Sequence, residues 1–548
     1  MATAARPRRL PAVLGPAPGA CPPSTAGNGS PAHRDRRCAR WTLGLVCLAT
    51  AELLFNVTAP NVALPDIGAS LGAGFGELQW VLSAYALLLA SLLLAGGSLG
   101  DRYGRKRFFV TGLGLFALAS AACALAPSSI ALIAARAAQG VAAAILFPAG
   151  LALIAAEFEA GRERARAIGV WGASVSGAIA IGPLGGGLLV DHLGWRSIFW
   201  VDAALTAAAV VPAARQLRES RSSGGGRLDW AGTVVLTLAL FLIVFAVLRG
   251  NAMGWTSPAV AGSFAAGAIL AAAFLALEHR VANPLIAPAL MRNRTFIAAT
   301  GVAFLFAAGG FGPLVYVTLF LLDVVGSTPT EAGLQLVPFA AAAFLVSLLA
   351  APIAARAGTR VTLAIGLALC AGGLLLMHGV SAHSGWERLL PGLVVFGAGG
   401  GLVNPTMTVA ALSVVPPAQS GMASGVNNTA RQFGIATGIA ALGAALQAHL
   451  ESDLRDRLAA TPLGPAARSL AHRAADGDVA GALAAAGARG RVLFADAYRE
   501  AFVSALNIVF LLAAGAAVAG VVLVVALVHP ATGREVAAAQ RPARARAD

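Results

Sequence analysis

Charge is what this 548-residue chain has least of: Asp, Glu, Lys and Arg together make up 12% of it, against roughly a quarter in a soluble domain. With 58% hydrophobic residues, that shortage excludes an ordinary soluble protein. It also excludes a disordered one, which needs low hydrophobicity. Lysine is nearly missing: Lys106 stands alone among 39 basic residues, and Arg107 follows it, so there is no Walker A loop and no ATP hydrolysis of that type. The eight His residues show no HExxH or other metal-ligand spacing, so neither a metal nor another cofactor is expected. Gly112-Leu-Gly114-Leu-Phe-Ala117 imitates a dinucleotide fingerprint but lies in an apolar run with no strand before it. No catalytic constellation occurs, and an enzyme is not expected. Of five cysteines, Cys21 and Cys38 fall in the N-terminal tail, and Cys47, Cys123 and Cys370 in apolar segments. None falls in an expected outer loop, so no disulfide is expected.

What the chain has is long apolar runs. A membrane-spanning helix takes about 20 such residues, and fourteen windows qualify: 41–64, 78–99, 108–125, 130–155, 167–190, 198–217, 230–248, 258–277, 296–322, 332–355, 361–380, 389–412, 421–446 and 502–528. An even count puts both termini on one side. The net charge of +14 would suggest nucleic acid in a soluble chain, but here it follows topology, and no nucleic-acid partner is expected. With the N terminus inside, 27 basic residues fall in inner segments and only Arg196, Arg249 and Arg388 in short outer loops, as the positive-inside rule requires. Seven more sit in the long outer segment 447–501, which reads as one or two short surface helices, and Arg136 and Arg431 lie within spans.

The windows repeat. Leu99, Arg102 and Gly104 recur as Ile353, Arg356 and Gly358; Gly140 and Pro148 recur as Gly397 and Pro405; Gly169, Val170 and Gly182 recur as Gly425, Val426 and Gly438. The chain therefore reads as an all-α membrane protein. Residues 1–40 form a disordered cytoplasmic tail, 41–217 a six-helix bundle, 218–295 a linker with two inserted helices, 296–528 a second six-helix bundle, and 529–548 a second cytoplasmic tail. Paired halves of this kind place a small-molecule site near the bilayer midplane.

Ordered motifs sit on this frame. The turn after the second window reads Gly97-Ser-Leu-Gly-Asp101-Arg102-Tyr-Gly104-Arg105-Lys106-Arg107: glycines for close approach and a tight turn, and an acid able to accept from Arg or a helix N terminus. The fourth window holds Arg136-Ala-Ala-Gln139-Gly140, and the fifth Gly177-Ala-Ile-Ala-Ile-Gly182-Pro183-Leu-Gly185-Gly186. Gly182 and Gly186 line one stripe, where a neighbouring backbone can approach. These runs resemble motifs A, B and C of the major facilitator superfamily. Trp195-Arg196-Ser-Ile-Phe199, the two inserted helices, and Asn427-Asn428-Thr-Ala-Arg431-Gln432 fit its fourteen-helix drug:proton antiporter group (EmrB/QacA type). The resemblance implies two pseudo-repeated six-helix bundles with two helices between them. It also implies export of an amphipathic cationic or neutral drug in exchange for protons by alternating access, in the cytoplasmic (inner) membrane and as a monomer. Export of a self-made metabolite, or uptake by proton symport, is the alternative.

Arg136 deep in a span costs about 2.5–3.5 kcal/mol on insertion scales, so it calls for a partner; the resemblance implies a role in proton coupling. In the first window the family pattern Asn61 to Pro65 is preceded by Asn56, where relatives usually carry Asp. Glu52 lies one turn earlier on the same face. Burial disfavours its charged form and a neighbouring Arg136 favours it, so Glu52 is expected to replace that Asp. Trp80, Tyr85, Trp171, Phe311, Tyr316, Asn404, Asn427, Arg431 and Gln432 are candidates for the substrate cavity. Glu77, Asp202, Asp323 and Glu331 sit near window ends and read as solvated or capping.

Overall fold

The structure, a computed structural model, describes residues 36–528 except 74, 160, 222–228, 279–289, 291, 417–418 and 476. The tails read at 1–35 and 529–548 lie outside the described residues. Among the described residues, fourteen long helices cover the fourteen windows: α1 (Arg36–Val62), α2 (Phe75–Tyr103), α3 (Arg105–Ala124), α4 (Ser129–Glu157), α5 (Arg162–Leu193), α6 (Arg196–Gln216), α7 (Trp230–Met253), α8 (Pro258–Glu278), α9 (Arg294–Leu319), α10 (Val337–Ala357), α11 (Thr359–Met377), α12 (Leu390–Ser413), α13 (Ser420–Ala459) and α14 (Gly487–Leu527). Thirteen are long and apolar enough to cross a membrane; α5, with 32 residues, is the remaining long helix. Helices suit this environment because each satisfies its own backbone where no water can.

Local chemistry sets the breaks. Gly104 (φ 119°) separates α2 from α3, and Gly358 (φ 81°) separates α10 from α11. Both turns need a left-handed residue, which glycine supplies without a Cβ clash, and this accounts for the repeat of these two glycines. Ser128 caps α4, Asn293 caps α9 through Thr295 N and Phe296 N, and Thr328 with Glu331 forms a capping box on a short helix, Pro329–Gln335.

The packing repeats with an offset of eight helices. α1 lies on α5 as α9 lies on α13; α2 on α4 as α10 on α12; α3 on α4 and α6 as α11 on α12 and α14. The halves meet through α5 against α10 and α2 against α13, again an equivalent pair. Glycines permit these approaches. A Cβ on Gly140 would stand 2.6 Å from the Tyr85 carbonyl oxygen, and one on the repeated Gly397 would collide with the Phe339 carbonyl. The inserted α7 and α8 pack on each other, and α7 also touches α2 and α13.

Three expectations change. α1 begins at Arg36, inside the segment read as tail, because the Arg-rich residues 36–40 continue the helix. Cys38 is disulfide-bonded, contrary to the expectation from compartment, whereas Cys47, Cys123 and Cys370 are free. The segment 447–501 holds the two short helices expected there, but its flanking helices also extend into it from both sides. α13 and α14 run on for 40 and 41 residues, leaving only short helices at Ala467–Ala475 and Val479–Ala485 between them. A stripe at every fourth residue, Leu442, Leu446, Leu450, Leu454 and Leu458, carries the core along α13 to meet Leu470, Phe494 and Tyr498. Hydropathy windows pass over such an extension because its outer face is charged.

Candidate functional site

A polar cluster lies inside the first half, where α1, α3, α4 and α6 meet. Asn56 is its hub. The Asn56 amide donates to an Asp202 carboxyl oxygen, and Asn56 Oδ1 accepts from Arg136 Nη1 at 3.1 Å. Arg136 is 1% exposed. Its Nε donates to Val81 O (3.0 Å), its Nη1 also to Gln139 Oε1 (2.8 Å), and its Nη2 to Asn56 O (3.1 Å). Gln139 Nε2 continues to Ser120 Oγ at 2.7 Å. One turn from Asn56, Glu52 accepts from Thr206 Oγ1 at 2.6 Å, and Thr206 is one turn from Asp202. Glu52–Thr206 and Asn56–Asp202 are thus adjacent rungs between α1 and α6. Glu52 Oε1 has no hydrogen-bond partner among the described residues.

The cluster differs from the sequence reading in two respects. Arg136 forms no ion pair with Glu52; Asn56 stands between the guanidinium and the acids. Asp202 is neither solvated nor a cap but 1% exposed. The start of α6 is itself covered, since Trp195, Ile198 and Phe199 pack into a core with Ala59, Val81 and Leu132. Depth along a helix did not give depth in the bundle. Glu331, by contrast, is an exposed capping residue.

Tyr85 joins this cluster to the centre of the molecule. Its ring lies 4.5 Å from the Arg136 guanidinium carbon, and its hydroxyl donates to Leu53 O at 3.0 Å. Tyr85 also lines a narrow cavity between the halves, with Leu53, Leu54, Leu89, Leu93, Phe147, Asn428, Arg431 and Gln432. Of the cavity candidates, Tyr85, Arg431 and Gln432 line this space. Asn404 supports Arg431 from behind, accepting from Nη1 at 3.5 Å. Trp80 instead stacks on Phe245 and Arg249 of α7. Trp171 is buried behind Phe147 and donates to Thr50 Oγ1. Tyr316 donates to Ile439 O and Asn427 to Ala299 O, both helix-to-helix ties. Phe311 is half-buried on α9. Asn428 was missed, although it lies at helical spacing (three and four residues) from Arg431 and Gln432 and so shares their face.

The remaining motifs close the two ends of the halves. Asp101 accepts from Arg105 Nε at 2.8 Å and from Met422 N, at the start of α13, at 2.9 Å. It links the two halves through a helix N terminus, where a negative charge is favoured. Gly97 lets α2 reach the Gly421 carbonyl, and Arg102 lies half-buried beside Tyr103. Gly104 leaves room for Glu219, whose oxygens accept from Lys106 N and Arg107 N at the start of α3; no motif in the sequence marks this clamp. On α5, Gly182 lies against Thr58 and Gly186 against Ala59, so this stripe seats α1. Gly177 makes an ordinary contact with Phe344, Gly185 is half-buried, and the Pro183 side chain lies outside what is described. At the C-terminal end of α5, Thr330 Oγ1 donates to Asp191 at 3.4 Å.

A family profile described as Major Facilitator Superfamily matches residues 46–439. The chain is 38% identical over 418 residues to the multidrug resistance protein Stp of Mycobacterium tuberculosis (strain CDC 1551 / Oshkosh), covering 76% of this chain and 78% of that one. It is 30% identical to the tetracenomycin C resistance and export protein of Streptomyces glaucescens, over 87% and 89% of the two chains. The crystal structure of the human organic anion transporter MFSD10 (TETRAN) superposes with a TM-score of 0.55 at 15% identity, covering 88% of this chain and all of that one; this likeness concerns the fold alone.

Proposed function

Because the chain belongs to the Major Facilitator Superfamily, we propose that it is a proton-driven exporter of antibiotic-like compounds in the cytoplasmic membrane, with both termini cytoplasmic. The observation that carries the coupling is a pair of buried acids, Glu52 and Asp202, on adjacent rungs of a cluster whose Arg136 packs on Tyr85 of the cavity wall. A buried carboxylate needs compensation. Here the Asn56 amide, the Thr206 hydroxyl and the Arg136 charge behind Asn56 supply it. Protonating either acid weakens its rung and changes how firmly α1 is held to α6. Arg136 then shifts its pull between Asn56 and the Tyr85 ring, at the cavity wall. Proton state and cavity shape are coupled in this way without an ion pair between Glu52 and Arg136. Asp101 and the start of α13 form a contact that must open whenever that end of the cavity opens.

The relatives are named for multidrug resistance and for resistance with export, which supports export over uptake. The experiment is dye uptake into everted vesicles under an imposed proton gradient, with Glu52→Gln and Asp202→Asn variants. Uptake should collapse with an uncoupler, and the gradient-driven rate should fall at least tenfold in each variant. Wild-type rates in both would refute the coupling role of these acids.

A further inference from the structure

Two guanidinium groups are buried deep within the spans, and their surroundings differ sharply. Arg136 makes four hydrogen bonds of 2.8–3.1 Å. Arg431 is 3% exposed, yet among the described residues its hydrogen bonding is limited to the 3.5 Å contact with Asn404, and its Nε has no partner there. The Phe147 ring lies 5.3 Å from its central carbon. Its charge borders the central cavity, whose lining contains no carboxylate. Beside it on the same wall is Gln432, while Asn428 directs its amide back to Ser424. A buried cation is costly until an anion or several acceptors offset it, and the described residues supply neither here.

We infer that the cavity is built for a cargo carrying an oxyanion, a carboxylate or an ionised hydroxyl, which Arg431 binds while Leu53, Leu54, Leu89, Leu93 and Phe147 hold its apolar body. The inference rests on the export reading and replaces the cationic or neutral cargo expected from the sequence. A guanidinium fork matches a carboxylate in two parallel hydrogen bonds, and both are stronger where water is excluded. The two apolar flanks set the cargo as amphipathic, with its charge toward α13.

The test uses three probes that share one aromatic body: pyrenebutyrate, pyrenebutanol and pyrenebutylamine. Saturable quenching of tryptophan fluorescence in the full chain, held in nanodiscs of phosphatidylcholine, reports binding of each. The butyrate should bind at least tenfold more tightly than the alcohol or the amine. Arg431→Gln should erase that preference by weakening the butyrate at least tenfold and should strengthen binding of the amine, whose charge it no longer repels, and Arg431→Lys, which keeps the charge but not the fork, should retain part of the preference. An amine or alcohol that binds as tightly as the butyrate overturns the inference, as does saturable binding of none of the three or an unchanged butyrate affinity in Arg431→Gln. The wild-type ranking decides the matter even if Arg431→Gln fails to fold. Gradient-driven transport of the amine with no butyrate preference overturns this inference and leaves the export reading intact. A butyrate preference with no gradient-driven movement of any probe supports the cavity assignment and overturns the export reading.

Discussion

At Asn56 the family resemblance implies an acid, and a carboxyl group stands beside this position on another helix. Asp202 reaches the same place from α6 and bonds to the Asn56 amide. Arg136 and Glu52 were legible in the sequence, because a charged residue several turns inside an apolar run is too costly to sit there without a partner; Gln139 was legible only through its motif spacing from Arg136. Asp202 was illegible, because a residue near the edge of a hydrophobic window looks the same whether the helix end faces water or a neighbouring helix. Arg136→Met should be severely destabilising. It orphans acceptors on Asn56, Gln139 and Val81 together, and breaking a buried charge network costs about 3–5 kcal/mol. A clear drop in the thermal unfolding midpoint of the purified protein in detergent is the expected outcome. Thr206→Val tests the Glu52 rung more gently. It keeps the shape and removes the donor, so the pH at which gradient-driven dye transport is half-maximal should move while the unfolding midpoint changes little. An unmoved pH profile would show that this rung does not contribute to coupling.

Among the helices, the contacts that matter most are made by residues with no side chain. Gly140 lets α4 lie against the α2 backbone, and Gly140→Ala would push a methyl group to 2.6 Å from the Tyr85 carbonyl oxygen. Overpacking of this kind costs about 1–3 kcal/mol. The expected outcome is a lower unfolding midpoint with loss of transport, since Tyr85 borders both the cluster and the cavity. Each of the fourteen long helices was visible as an apolar run, and the pseudo-repeat was visible because the same turns and crossings need the same glycines. The leucine stripe of α13 was not visible to an average over windows: it takes one position in four, and Asp453, Arg455, Asp456 and Arg457 fill the other faces. Leu454, fully buried at the centre of that stripe, should be sensitive. Leu454→Ala would cost about 2–5 kcal/mol and should admit protease between residues 460 and 486 while the apolar bundle stays intact.

At the scale of the whole molecule, the two halves touch at both ends of a narrow central space. The Asp101 contact with Met422 N binds one end, and Thr330 with Asp191 spans the other. Asp101→Ala removes an acceptor for the first backbone donors of α13 and the ion pair with Arg105. Its expected effect is to loosen that end alone. A cysteine at Leu93, in a background free of other cysteines, should then react with a membrane-impermeant maleimide faster from the Asp101 end and no faster from the other. Equal reactivity from both ends would mean that the contact does not hold the halves together. The long hairpin has a different consequence. At 1.5 Å per residue, a 40-residue helix is about 60 Å long, twice the thickness of the hydrocarbon layer. α13 and α14 therefore stand clear of the lipid as a stiff mast rooted in the second half. An antibody fragment clamped to its tip would give particle images a landmark outside the micelle, and the tilt of that landmark would report each rocking stroke of the half beneath it.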